Sequence, residues 1–210
     1  HISPVWYSTL ARAGYFDVKE LATFRFLNSR LQGHPATHEK LPGIRIASGS
    51  LGQGLSVAAG SALVKKLNND DRFVFCLMGD GEQQEGQVWE AAMYAAHNKI
   101  DNLIATIDYN GQQIDGPVKE VLDLKDLKAK WVAFGWEVQE FNGNDLKEVI
   151  NGLENAKALA KKGKPVMNLM KTDMGSGVDY MMGSHKWHGV APNDEELSRA
   201  LAQLECSEDY

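Results

Sequence analysis

The chain is poor in cysteine, with two, Cys76 and Cys206, among 210 residues. Two thiols build no disulfide framework. Cys76 lies in an apolar run, so reduced thiols in a cytoplasmic protein are expected. No apolar run approaches the roughly 18 residues that a membrane-spanning helix needs. Positive charge is scarce as well, with 22 Lys and Arg against 28 Asp and Glu and a net charge of −6. That balance excludes a general nucleic-acid or anionic-membrane surface. Internal repeats, low-complexity tracts and a G-x-x-x-x-G-K-[ST] phosphate loop are all missing. What remains is ordinary for a globular chain: 43% hydrophobic and 24% charged residues, enough for one large domain with a sizeable core. The acidic balance raises a question. A phosphate ligand here would need something other than bulk positive charge to hold it.

Along the chain, strand-like and helix-like segments alternate. The chain begins at His1 with a helix-like pattern at once, which points to an incomplete N-terminus. Asp17 with Glu20 three residues on resembles a capping box and predicts a helix to about Arg30. A Gly/Pro/His-rich loop covers 33–54, and 55–67 reads as a helix rich in Ala and Val. The run 73–78 is continuously apolar and predicts a buried parallel strand ending in Gly79-Asp80-Gly81. Helix 87–98, strand 103–108, helix 126–134, strand 136–141, a helix capped by Asn144 to about Lys162, and strand 165–170 follow. Asn193 with Glu196 caps a last helix. This order predicts an α/β fold, a three-layer α/β/α arrangement around a mostly parallel sheet. No composition shift divides it, so residues 1–210 read as one domain.

In such sheets ligands sit beyond the carboxyl ends of strands. Two strand ends carry polar residues, Gly79-Asp80-Gly81 and Asp108-Tyr109-Asn110. A right-handed crossover places Asp80 and Asn110 at the same sheet edge. A carboxylate and an amide oxygen are hard ligands that suit Mg2+ or Ca2+, and Mg2+ usually completes its shell with phosphate oxygens and water. Gly79 and Gly81 permit a tight turn and a close approach of phosphate to backbone. A lone GDG, or a lone Asn-Gly, is most often only a turn. The two together, thirty residues apart at successive strand ends, are far more specific. A metal would then neutralise a diphosphate without a basic patch.

The stretch GDGEQQEGQVWEAAMYAAHNKIDNLIATIDYN resembles the thiamine-diphosphate signature, GDG followed by a terminal Asn. More narrowly, Gly33-His34-Pro35, SGSLGQGLS at 48–56, DYNGQQIDG at 108–116 and His188-Gly189 resemble transketolase, nearest to the N-terminal subunit of split, two-chain members. The resemblance implies the thiamine-diphosphate-binding fold, in its diphosphate-binding domain. It implies Asp80 and Asn110 as side-chain ligands of Mg2+ (or Ca2+), with the backbone carbonyl of Gln112 as third ligand. Gly79 and Gly81 would lie at the diphosphate, Ser50 and Leu51 at the aminopyrimidine, and Ile114 against the cofactor's rings. His1 and His188 match histidines near the cofactor, and His34 one that contacts sugar hydroxyls; all three would serve catalysis. Histidines donate to phosphate and hydroxyl oxygens and exchange protons near neutral pH. His38, His97 and His185 read as surface or core residues. Glu85 and Glu90 match carboxylates near the dimer interface, and Trp89, Met93 and Tyr94 read as core.

By the same resemblance, the chain takes part in moving a two-carbon ketol unit from a ketose to an aldose, both sugar phosphates. The glutamate that activates the aminopyrimidine belongs to a pyrimidine-binding domain, for which these residues hold no second α/β unit. The expected partner is therefore a C-terminal transketolase subunit or domain, in a homodimer or heterotetramer, and the front of the diphosphate domain is expected to precede His1. Two other readings fit the fold: another thiamine-diphosphate-dependent ketol or acyl transferase, such as a 1-deoxyxylulose-phosphate synthase, and a non-catalytic assembly subunit.

Overall fold

The computed structural model describes residues 2–204. Helix starts follow side chains that satisfy the free N–H groups of a first turn. Asp126 accepts from the Ala129 N–H, Asp145 from those of Lys147 and Glu148, and Asn193 from that of Glu196. Glu196 returns the bond to the Asn193 N–H, completing the expected capping box. Two expectations fail at such sites. Asn144 does not cap its helix; Asp145 does, while Asn144 Oδ1 accepts from the Asp173 N–H. The helix expected from Asp17 to Arg30 is only a 3-10 turn, Val18–Thr23. The Glu20 carboxylate is engaged by the Arg30 guanidinium at 2.7 and 2.8 Å instead of reaching back to the cap. Positive φ at Arg25 and Asn28 then turns the chain away from helical geometry.

The chain divides into two compact units, 1–51 and 52–210. In the first, α1 (Ser3–Arg12) buries Tyr7 with Leu31, Leu41 and Ile44 in a small core.

The second unit holds the sheet. In chain order its elements are α2 (Gln53–Leu67), β1 (Val74–Gly79), α3 (Gly86–His97), β2 (Leu103–Tyr109), the short hairpin β3 (Gln112–Gln113) and β4 (Gly116–Pro117), α4 (Val118–Leu122), α5 (Leu127–Ala133), β5 (Glu137–Asn142), α6 (Leu146–Leu159), β6 (Val166–Lys171) and α7 (Asp194–Leu201). The sheet runs β1-β2-β6-β5, and every pairing is parallel. Helices α2, α3 and α5 pack one face through Leu55, Ala59, Val88, Ala92 and Trp131. Helix α6 packs the other through Ala156 against Ile104 and Val166. This is the expected three-layer α/β/α arrangement. Small side chains at 58, 59, 62, 91, 92 and 95 let α2 and α3 lie close to each other and to β1.

The apolar run at 73–78 differs from a strand buried on both faces. β1 is an edge strand, and only its Cys76 and Met78 face is covered; Phe75 and Leu77 are 52% and 54% exposed. Met93 and Tyr94, read as core, are also exposed, because they point away from the sheet that α3 packs on; Trp89 alone joins the aromatic cluster with Trp131 and Phe134. Among the described residues no helix is long and apolar enough to cross a membrane.

A polar ladder crosses the α6 side of the sheet. Thr106, Asn168 and Gln139 are register partners on β2, β6 and β5. Asn168 Nδ2 donates to Thr106 Oγ1 at 3.1 Å, and Gln139 Nε2 donates to Asn168 Oδ1 at 2.7 Å. A one-residue slip of either strand would strand these buried groups, so the ladder pins the register that aligns the strand ends. Asn168→Ala is expected to lower the unfolding free energy by about 1–3 kcal/mol. Urea denaturation checks this; a loss below about 0.5 kcal/mol would show that the ladder does not hold the register.

Candidate functional site

The parallel register places Gly79 beside Asp108, so Asp80 and Asn110 emerge at the same edge of the sheet. Asp80 is 1% exposed. Its Oδ1 accepts from the Gly81 N–H at 2.8 Å, and its Oδ2 from the Gly111 N–H. The carboxylate thus ties the turn after β1 to the turn after β2. Among the described residues no Lys, Arg or His pairs with it, and no cluster of three His, Cys, Asp or Glu surrounds it. Burial dominates and raises its pKa to about 6, against the opposing bonds from Gly111 and Gly81 and helped by the nearby Asp108 charge.

Asn110 is held on both sides. Its Nδ2 donates to Asp108 Oδ2 at 3.3 Å, which fixes the flip of the amide, and its Oδ1 accepts from the Gln112 N–H at 2.9 Å. That oxygen keeps a second lone pair. Asp108 is in turn held by the hydroxyl of Thr172, just past β6. The side-chain oxygen of Gln112 is buried and accepts no hydrogen bond. The buried Asp80 carboxylate and the oriented Asn110 amide oxygen are hard oxygen donors at one sheet edge, and the orphaned Gln112 side-chain oxygen lies two residues beyond Asn110. Such donors fit a Mg2+- or Ca2+-sized ion.

Beyond Gly111 the hairpin β3–β4 carries Ile114, 57% exposed. Gly189 packs on it so closely that a Cβ there would lie 3.0 Å from Ile114 Cδ1. The structure therefore brings Ile114 and the His188-Gly189 pair together. His188 is exposed, and partial desolvation lowers its pKa, which favours the neutral ring near pH 7. At Gly81 a Cβ would meet Gln113 Cβ at 3.1 Å, a tight contact that a larger residue keeps only if Gln113 gives way. Beside Asn110 and Gly111, a cleft of about 530 Å3 opens at the carboxyl ends of β2, β6 and β5, walled by Lys125, Lys128, Glu140 and Lys171.

His34, Ser50 and Leu51 belong to the first unit and are exposed. The His34 ring lies against Gly49, where a Cβ would sit 2.9 Å from His34 Cγ. Glu85 precedes α3 and Glu90 sits on it, both exposed. His1 and Cys206 lie outside the described residues. His38 pairs with Glu39 at the surface.

Three residues escaped sequence reading. Asp108 orients Asn110; its signal was its place two residues before Asn110 on the same strand end. Lys171 ends β6 and reaches Glu140 at 2.8 Å. Glu82 accepts from the Gly52 N–H at 2.7 Å and the Gly79 N–H at 3.1 Å, fastening the start of α2 to the end of β1. Only the acid in the first turn after GDG could have hinted at this.

Comparison with known proteins decides the family. The profile of "Transketolase, thiamine diphosphate binding domain" matches residues 1–208. The chain belongs to the transketolase family. It is similar to an apulose-4-phosphate transketolase subunit of Actinobacillus succinogenes, 41% identical over 95% of this chain and 71% of that protein. It is also similar to the 6-deoxy-6-sulfo-D-fructose transketolase subunit SqwG of a Clostridium species, 39% identical over 98% of this chain and 74% of that one. The crystal structure of transketolase from Campylobacter jejuni superposes with a TM-score of 0.85 at 36% identity. That superposition covers 94% of this chain and 32% of the larger one, so this transketolase domain spans about a third of the single-chain enzyme.

The raised pKa has a measurable consequence for the metal-free domain. Asp80 titrates near 6 when folded and near 3.8 when unfolded. Its contribution to stability is therefore full below about pH 4 and is lost as pH rises through 6. Denaturation midpoints without metal are expected to fall across that window, and Asp80→Asn to flatten the fall. A slope unchanged in the variant would show that Asp80 is not its source.

Proposed function

We propose that this chain is the thiamine-diphosphate- and metal-binding subunit of a split transketolase. The reading rests most on Asp80. A carboxylate so buried, fastened to two turns and set at the same sheet edge as an oriented amide oxygen, supports a cation beside it in a family member. Asp80, Asn110 and the Gln112 carbonyl would hold Mg2+ (or Ca2+). Gly79 and Gly81 leave backbone bare for a diphosphate, and a neutral His188 can donate one N–H to a phosphate oxygen. Ile114 offers an apolar face to the cofactor's rings. Ser50 and Leu51 are read as aminopyrimidine contacts, His1 as a further histidine near the cofactor, and His34 as a contact to sugar hydroxyls. When bound, thiamine diphosphate supplies the carbon nucleophile that carries a two-carbon ketol unit from a ketose to an aldose.

The activating glutamate would come from a C-terminal subunit or domain. Glu85 and Glu90 are exposed around the start of α3, where such a neighbour could meet them in a homodimer or heterotetramer. The names of relatives support a partner chain, since both similar proteins are described as transketolase subunits. A cytoplasmic location and sugar-phosphate substrates complete the reading.

Calorimetric titration of the chain with its partner is expected to show thiamine diphosphate binding that requires Mg2+. Asp80→Ala is expected to weaken it by more than roughly 100-fold, since even groups one step behind a metal ligand cost 10- to 100-fold. Unchanged binding would overturn the metal assignment. Turnover of fructose 6-phosphate but not pyruvate marks ketol transfer; the reverse marks an acyl transferase. Assembly with cofactor but without turnover of pyruvate or of any ketose phosphate in a panel marks a non-catalytic subunit.

A further inference from the structure

We propose that Tyr7 and Ser3 are positioning residues for His34. The proposal rests on the reading of His34 as a substrate contact and extends it to residues that carry no reactive group toward substrate. Ser3 and Tyr7 are four apart on α1 and therefore lie on one face of it. Both are buried, at 4% and 1% exposure. Tyr7 OH donates to the carbonyl of Gln32 at 2.8 Å, and Ser3 Oγ donates to the carbonyl of Gly33 at 2.7 Å. These are the two successive carbonyls that precede His34.

A loop carbonyl inside a protein needs a donor, and a strand or helix normally supplies it. Here two side chains of a helix do so, at consecutive positions. They orient two peptide planes, and those planes fix the direction in which the His34 Cα–Cβ bond leaves the loop. Pro35, buried, restricts the backbone of His34 from the other side. The ring then rests on Gly49, the only kind of residue that leaves room for it at 2.9 Å. The Tyr7 ring itself is anchored edge-on to Phe24, with centroids 6.0 Å apart, in the core of the first unit. A tyrosine is thus used where phenylalanine would fill the core equally well. The hydroxyl has no packing purpose, and its hydrogen bond goes to the loop.

The test uses Tyr7→Phe, which removes only the hydroxyl, and Ser3→Ala. A core control, Leu41→Val, loosens the same small core without touching either carbonyl. Each is combined with His34→Ala in the complex of the chain with its partner, with thiamine diphosphate, Mg2+, fructose 6-phosphate and an aldose phosphate. Tyr7→Phe is expected to lower kcat/KM about tenfold when His34 is present and to have almost no effect when it is alanine. In the chain itself, amide exchange at 33 and 34 should quicken about tenfold in Tyr7→Phe, and not in Leu41→Val of equal global stability. Additive losses, or exchange that follows only global stability, would overturn positioning. A severe His34→Ala beside a fully active Tyr7→Phe would overturn it too and leave the reading of His34 intact. A fully active His34→Ala would instead remove that reading, and with it this one.

Discussion

One buried carboxylate carries the arrangement at the sheet edge. Asp80 accepts backbone N–H groups from two different turns, that of its own strand and that following β2. A neutral side chain could not bridge both so well, because charge-assisted bonds are about twice as strong. The same burial makes the charge costly, which the raised pKa records. The site is therefore built with an electrostatic deficit. A divalent cation with oxygen ligands would offset that deficit in a frame the carboxylate already holds.

The strands and most helices were legible because their signals are local. Apolar runs broken by Gly-Asp-Gly and Tyr-Asn-Gly mark strand ends, and Asp126 and Asn193 mark helix starts. What misled was competition for the same side chain. Glu20 had a capping position but found Arg30, and Asn144 had one but found the Asp173 backbone. The Phe75 and Leu77 face was illegible for another reason: an apolar run does not say whether a second layer lies over it. Asp80 and Asn110 could be placed together from strand order alone. Glu82 could not, since its role depends on a contact to Gly52, 30 residues away, and the Thr172 hydroxyl that holds Asp108 comes from 64 residues away.

The two units hold their candidate residues by opposite means. In the second, acidic and amide side chains accept backbone N–H groups, which fixes the direction of their oxygens at one sheet edge. In the first, hydroxyl groups of α1 donate to backbone carbonyls, which leaves an imidazole projecting from a braced loop. The first device suits a hard cation; the second suits a hydrogen-bonding contact to a polar substrate. Each solution uses buried polar groups that an apolar core would not need, and such groups are retained where direction matters more than stability.

The charge question raised by the acidic composition now has a sharper form. Lysines do stand beside the site: Lys125, Lys128 and Lys171 wall the cleft next to Asn110. Each is already engaged. Lys171 and Lys128 both pair with Glu140, holding that carboxyl below its usual range, and Lys125 pairs with Asp123. Two carboxylates thus offset most of the charge of these three lysines, so the net positive charge beside the site is small. The Asp80 carboxylate differs: among the described residues its hydrogen-bond partners are backbone N–H groups, and no side-chain cation pairs with it. A divalent cation beside Asp80 would reverse the sign of the local charge, and a phosphate could then bind there without a basic patch.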